Sequence, residues 1–108
     1  MPQTTFSTVC ELIAQKKVFG SAHALARCAA RGILLTEVIS GTPSGLPIED
    51  YPDYHAGPAV LVLLYDSFGL PVHAVWGLEK GTREPAILVT AYRPDPADWD
   101  PDLRTRKR

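Results

Sequence analysis

The chain has 108 residues, 45% of them hydrophobic, and a formal net charge of -1, which is enough material for one core and too little for two domains of ordinary size. Its longest apolar run, "AVLVLLY", falls far below the roughly eighteen residues of a membrane span, and no charged start leads into an apolar stretch, so a soluble cytoplasmic protein with no membrane partner is expected. The charge is uneven: the final "RTRKR" carries four of the eleven bases, and residues 1–103 hold seven bases against twelve acids, which excludes a generally basic nucleic-acid-binding surface and leaves only local clusters to hold RNA.

In chain order, Phe6, Val9, Cys10 and Ile13 recur at the spacing of a one-sided helix, predicting a helix over about residues 5–17, with Thr8 and Glu11 available as a capping box if it starts late. Ser21 then offers a hydroxyl to the free amides of a second helix, "SAHALARCAARG", which Gly32 ends in a left-handed turn. Thr36 caps a short third helix, "EVIS", and "GTPSGLP" follows as a loop. Cys10 and Cys28 fall on apolar helix sides and read as small reduced core residues.

From Ile48 onward the pattern changes to four short runs bounded by turn formers, "IEDY", "AVLVLLY", "PVHAVWG" and "AILVTAY". The short connections "DSFG" and "LEKGTREP" suit hairpins. The fold expected is α+β, with two or three N-terminal helices on one face of a four-stranded, largely antiparallel sheet. Residues 1–93 form that single domain, and residues 94–108 an extended tail, Pro- and Asp-rich and then basic, pinned by Trp99.

If the last hairpin closes with Gly77 near Ala86, alternation places Val60, Val62, Leu64, Val72, Ala74, Trp76, Ile87, Val89 and Ala91 in the core. His73 then falls opposite Thr90 on the other face, with Tyr65 and Tyr92, as a shallow mixed site.

On the second helix His23, Arg27 and Arg31 form a narrow stripe, opposite Leu25, Cys28 and Ala29. An ordinary solvent face mixes Lys with Glu, whereas this one has no carboxylate and is flanked by alanines. Guanidinium forks suit phosphate oxygens. The competing explanation is that these arginines pair with acids elsewhere, such as Glu49 or Asp50. Arg93, at the end of the last strand, adds a third guanidinium. No CxxC or HxxxH spacing is present, so neither a metal nor a cofactor is expected.

Taken together, "SAHALARCAARGI", "IEDYP", "PVHAVWG" and "VTAYRPDP" resemble the bacterial family known as domain of unknown function 4258, in which a histidine-bearing helix precedes a small sheet closing on a Tyr and Pro motif. The positions matching those motifs are His23, Arg27, Arg31, Tyr51, His73 and Tyr92; Cys28 and Ala30 stand where larger or charged residues are expected, and "GTPSGLP" lengthens the way into the first strand. The resemblance implies kinship with small ribonuclease toxins of the RelE and barnase-like kind, hence RNA as substrate and an antitoxin protein as partner.

These residues point to a metal-independent endoribonuclease in which the ribose 2'-hydroxyl attacks the adjacent phosphorus. His23 serves as base or acid and His73 as its opposite number, Arg27 and Arg31 steady the phosphate charge, and Tyr92 binds or donates a proton. Tyr51, Thr90 and Arg93 complete the substrate contacts. The alternative is a non-catalytic, toxin-like interaction module that binds a protein partner, or a family member that has lost activity.

Overall fold

The computed structural model describes residues 4–107. Helix α1 (Thr5–Ala14) starts early rather than late: the Thr4 hydroxyl accepts from the Ser7 amide, and Ser7 Oγ accepts from the Thr4 amide, both at 3.0 Å. It buries Thr5, Val9 and Leu12. The helix stops three residues short of the expected 17, because Lys16 turns into the left-handed region and the Lys17 carbonyl accepts from the Ala86 amide at 3.0 Å.

That bond opens a strand the sequence pattern did not show, β1 (Val18–Gly20), which pairs in parallel with Ala86–Leu88. Helix α2 (Ala22–Ala30) follows at once, its first turn capped by Ser21 Oγ accepting from the Ala24 amide at 3.1 Å. Its end matches the glycine signal: Gly32 adopts φ +67°, the Ile33 amide reaches the Cys28 carbonyl at 2.9 Å, and the Gly32 amide reaches Ala29 at 3.3 Å, the paired bonds of a Schellman stop. The buried side of α2 is Ala24 and Cys28; Leu25 and Ala29, expected there, are exposed.

Helix α3 (Leu35–Gly41) begins after Leu34 with no side-chain cap, so Thr36 does not serve as one. The expected loop after it is a 3-10 turn, Thr42–Ser44, leading into strand β2 (Leu46–Tyr51). Thr42 is fully buried: its hydroxyl donates to the Val38 carbonyl at 2.7 Å and accepts from the Trp76 indole at 2.9 Å.

Strands β3 (Ala59–Tyr65), β4 (Pro71–Leu78) and β5 (Ala86–Tyr92) complete an antiparallel meander from β2. The sheet is therefore five-stranded and mixed, in the order β1-β5-β4-β3-β2, which corrects the expected four-stranded, largely antiparallel sheet; the α+β class stands. The physical reason is length. Three residues cannot display alternation, and their hydrogen-bonding partners lie at the far end of the chain.

A second correction concerns register. His73 pairs with Tyr92 rather than Thr90, and a bulge between Val75 and Trp76 lets Trp76 face Leu88 and Val75 face Thr90, with Val89 as the extra residue. One inserted residue flips the parity of β5. The hairpin also closes one residue later than expected, with Leu78 rather than Gly77 opposite Ala86, so Ala86 and Leu88 enter the core while Ile87 and Val89, expected there, are half-buried; beyond the bulge Ala91 lies in the core as expected, with Val60, Val62, Leu64, Val72, Ala74, Trp76 and Leu78.

The helices close this face, α2 lying mainly against β5 and α1 across β3, β4 and β5. The opposite face is not open either. Leu61, Leu63 and His73 are buried on it, and the C-terminal segment, instead of trailing away extended, folds back with an antiparallel bridge between Trp99 and Arg106. Among the described residues no helix is long and apolar enough to cross a membrane.

Candidate functional site: a cleft at the end of the last strand

Arg31 stands at the C-cap of α2, and its Nη1 donates to the Ala91 carbonyl at 2.8 Å. This bond carries the end of the cationic stripe around the sheet edge to the last residues of β5. There Arg31, Tyr92, Arg93, Asp95, Asp98 and Trp99 line a cleft of about 540 Å³. Arg31 has no carboxylate partner among the described residues, so the rest of its fork is available to a ligand.

Arg93 is differently placed. Its Nη2 sits 2.9 Å from Asp66 and its Nη1 donates to the Pro71 carbonyl at 3.3 Å. The Asp66 carboxyl is held below the usual carboxylate range by the Leu70 and Phe68 amides and by Arg93 itself. Arg93 thus anchors the β3–β4 turn and presents only part of its charge to the cleft. Asp95 is engaged in its own turn, accepting from the Ala97 amide at 2.9 Å.

Behind Tyr92 lies His73, fully buried. Its Nδ1 is 3.2 Å from the Tyr92 hydroxyl and its Nε2 is 2.8 Å from the Leu103 carbonyl. A carbonyl can only accept, so Nε2 carries the proton, and in the neutral ring Nδ1 is left to accept from the phenol. Tyr92 also lines the cleft. Burial, with Arg106 nearby, pushes the His73 imidazole down from its ordinary range, only partly offset by Leu103 and Glu49, so it is neutral at pH 7. Burial likewise pushes the Tyr92 phenol up.

The ring of Trp99 stands edge-on to His73, centroids 4.5 Å apart at 88°, and Arg106 lies 4.6 Å above the same indole. From there Arg106 grips Glu49, Nε to Oε2 at 2.8 Å and Nη2 to Oε1 at 3.0 Å. The Tyr51 hydroxyl also donates to Glu49. Arg106 holds the Glu49 carboxyl below its ordinary range, while burial and then Glu49 raise the Tyr51 phenol.

Of the residues singled out from sequence, Arg31, Tyr92 and Arg93 meet in the cleft, with His73 one hydrogen bond behind it. Tyr51 belongs to the neighbouring Glu49–Arg106 cluster. Thr90 faces Val75 and is not part of the cleft lining. His23 and Arg27 are exposed on α2, which packs on the Ala74 face of the sheet, whereas His73 points to the other face. The two histidines therefore do not share a cleft. Glu49 is occupied by Arg106 and is no partner for the α2 arginines.

The sequence pattern gave no sign of the Leu103 carbonyl or of the Glu49–Arg106 pair. The tethering role of Trp99 was the one signal toward this cluster. No curated protein and no solved structure matches the chain. The family model of a domain of unknown function, DUF4258, matches residues 21–93, a span that holds Arg31, Tyr51, His73, Tyr92 and Arg93, and the chain belongs to that family.

Proposed function

We propose that this protein is a metal-independent endoribonuclease, related to the RelE and barnase-like ribonuclease toxins, that works at the Arg31–Tyr92 cleft. The observation carrying this reading is the Tyr92 hydroxyl 3.2 Å from a neutral, tautomer-fixed His73, at the floor of a cleft that Arg31 borders. Geometry of this kind moves a proton. The ribose 2'-hydroxyl gives its proton to the Tyr92 oxygen as the phenol proton passes to His73 Nδ1, leaving an imidazolium that still donates from Nε2 to Leu103.

The 2'-oxygen bonds to phosphorus, the bond to the 5'-oxygen breaks, and that oxygen takes a proton from water in the open cleft. His73 then returns its proton through Tyr92 to the hydroxide. The products are a 2',3'-cyclic phosphate and a free 5'-hydroxyl end. Arg31 steadies the crowded phosphate oxygens, and Arg27 and His23 extend the same stripe along α2 as contacts for the flanking backbone. His23 takes no part in proton transfer with His73, since α2 packs on the Ala74 face of the sheet and His73 lies on the other.

The test is incubation of the purified chain with total RNA in the presence of a chelator. Cleavage with cyclic phosphate ends is expected, falling about 10²–10⁴-fold in Tyr92→Phe and about 10²–10³-fold in Arg31→Ala. Intact RNA at all enzyme concentrations refutes the reading.

One observation favours the second reading, a protein-binding module: Phe68 is 85% exposed at the β3–β4 turn, beside exposed Tyr65 and Leu70. Toxicity on expression without RNA breakage, lost in Phe68→Ser, supports that alternative. In either role an antitoxin protein is the natural partner.

A further inference from the structure

The segment after β5 is a built structure rather than a trailing end. The Asp100 amide donates to the Thr105 carbonyl at 2.8 Å and the Lys107 amide to the Asp98 carbonyl at 2.9 Å, closing a small hairpin around the Trp99–Arg106 bridge. Asp102 stiffens its tip by accepting from the Arg104 and Thr105 amides and the Thr105 hydroxyl. Leu103 is turned into the left-handed region at φ 60°, and its carbonyl meets His73. This hairpin lies outside the residues matched by the family model.

Among the described residues the hairpin makes two ion pairs. Arg104–Asp102 is internal, while Arg106–Glu49 crosses to β2. The second is bidentate, the geometry in which an arginine fixes orientation as well as charge. It also seats Arg106 on Trp99, which is 3% exposed and covers His73.

We propose that Glu49 and Arg106 are positioning residues for the Tyr92–His73 pair: their clasp holds the 98–107 hairpin against the sheet, so that the Leu103 carbonyl fixes the proton on His73 Nε2 and leaves Nδ1 to Tyr92. The catalytic half of this inference rests on the ribonuclease reading, and the structural half does not. The groups facing His73 are Tyr92 from β5, Leu63 from β3, Trp99 and the Leu103 carbonyl from the hairpin, and, at longer range, Glu49 from β2 and Arg106. Opening the clasp removes the carbonyl and the indole together and admits water to the ring. His73 then loses its tautomer preference, and its titration midpoint rises toward that of an exposed histidine.

The experiment compares the full chain with Arg106→Ala, Glu49→Gln and Arg106→Lys by nitrogen-15 NMR of the imidazoles, acrylamide quenching of tryptophan fluorescence, and steady-state cleavage of RNA. In the parent chain both tryptophans are buried and quenching is weak. In Arg106→Ala quenching increases severalfold, the His73 midpoint rises, and kcat falls about tenfold or more with KM changed less than about threefold; Arg106→Lys recovers part of each effect.

If Trp99 stays unquenchable and the His73 signals are unmoved in both Arg106→Ala and Glu49→Gln, the clasp does not hold the hairpin and the proposal is wrong. An opened hairpin with altered His73 signals but unchanged kcat removes the positioning role. If the parent chain leaves RNA intact while the NMR and quenching responses appear as expected, the ribonuclease reading fails and the clasp stands.

Discussion

Lowering the pH from 7 to 5.5 should destabilise this protein through His73. His73 is fully buried, and its folded-state affinity for a proton is reduced below the ordinary value of 6.5, chiefly by burial. Below pH 6.5 the unfolded chain binds a proton that the folded chain refuses. The free energy of unfolding therefore falls with pH, starting near 6.5 and levelling off below the folded-state value. A single group can contribute a slope of at most about 1.4 kcal/mol per pH unit, so the loss by pH 5.5 is on the order of 1 kcal/mol at most. Glu49 acts with the same sign in a lower window, because its folded carboxyl is held below 4.5 mainly by Arg106 and its contribution is lost as pH falls through that range. Urea denaturation at half-unit steps from pH 7.5 to 3.5 resolves the two windows. His73→Gln is the control, since glutamine cannot titrate: whatever its absolute stability, its curve should be flatter between pH 7 and 5.5. An identical slope in His73→Gln, or stability that rises on acidification from pH 7, refutes the reasoning.

Thr42→Val should cost about 1–3 kcal/mol by urea denaturation, because it strands the buried Trp76 indole N–H that now donates to Thr42 Oγ1 at 2.9 Å; a loss under 0.5 kcal/mol, taken as roughly the noise of surface substitutions, argues that water replaces the hydroxyl. RNA binding should depend only weakly on salt. Arg104 is engaged by Asp102 and Arg106 by Glu49; if, as the proposed ribonuclease reading has it, Arg27 and Arg31 are the main phosphate contacts, the slope of log K against log salt should be about -1.4 for single-stranded RNA. A slope steeper than about -4 means that a larger basic surface is being used.

How far the sequence discloses this architecture depends on the range over which each signal acts. "AVLVLLY" marks β3 because it is apolar throughout, and β3 is buried along nearly its whole length. Gly32 marks the end of α2 because left-handed backbone is a local demand. The hairpin closes with Leu78 rather than Gly77 opposite Ala86, which takes Ile87 and Val89 out of the core, and the bulge at Val89 adds a second one-residue shift, so that Tyr92 rather than Thr90 faces His73; neither shift leaves a local mark. The candidate site divides in the same way. Arg31, Tyr92 and Arg93 are side chains with evident chemistry at the ends of recognisable elements. The Leu103 acceptor is a main-chain carbonyl, which any residue possesses, and Glu49 and Arg106 are 57 positions apart, so nothing in either neighbourhood pairs them.

The smallest missed element has the largest consequence for the site. β1 is three residues long, yet it occupies the sheet edge beside β5, and α2 begins two residues after it ends. A helix launched from an edge strand has β5 as its first available neighbour, and β5 is the strand on which α2 chiefly lies. Launched from the middle of a four-stranded sheet, α2 would carry its cations over the core face, separated by the sheet from His73. From the edge, the last of them reaches the Ala91 carbonyl, one residue from the tyrosine that touches His73 from the other side. The link between the cationic helix and the buried imidazole is thus made at the rim of the sheet, by Arg31 and Tyr92, and owes its existence to the pairing of Val18–Gly20 with β5.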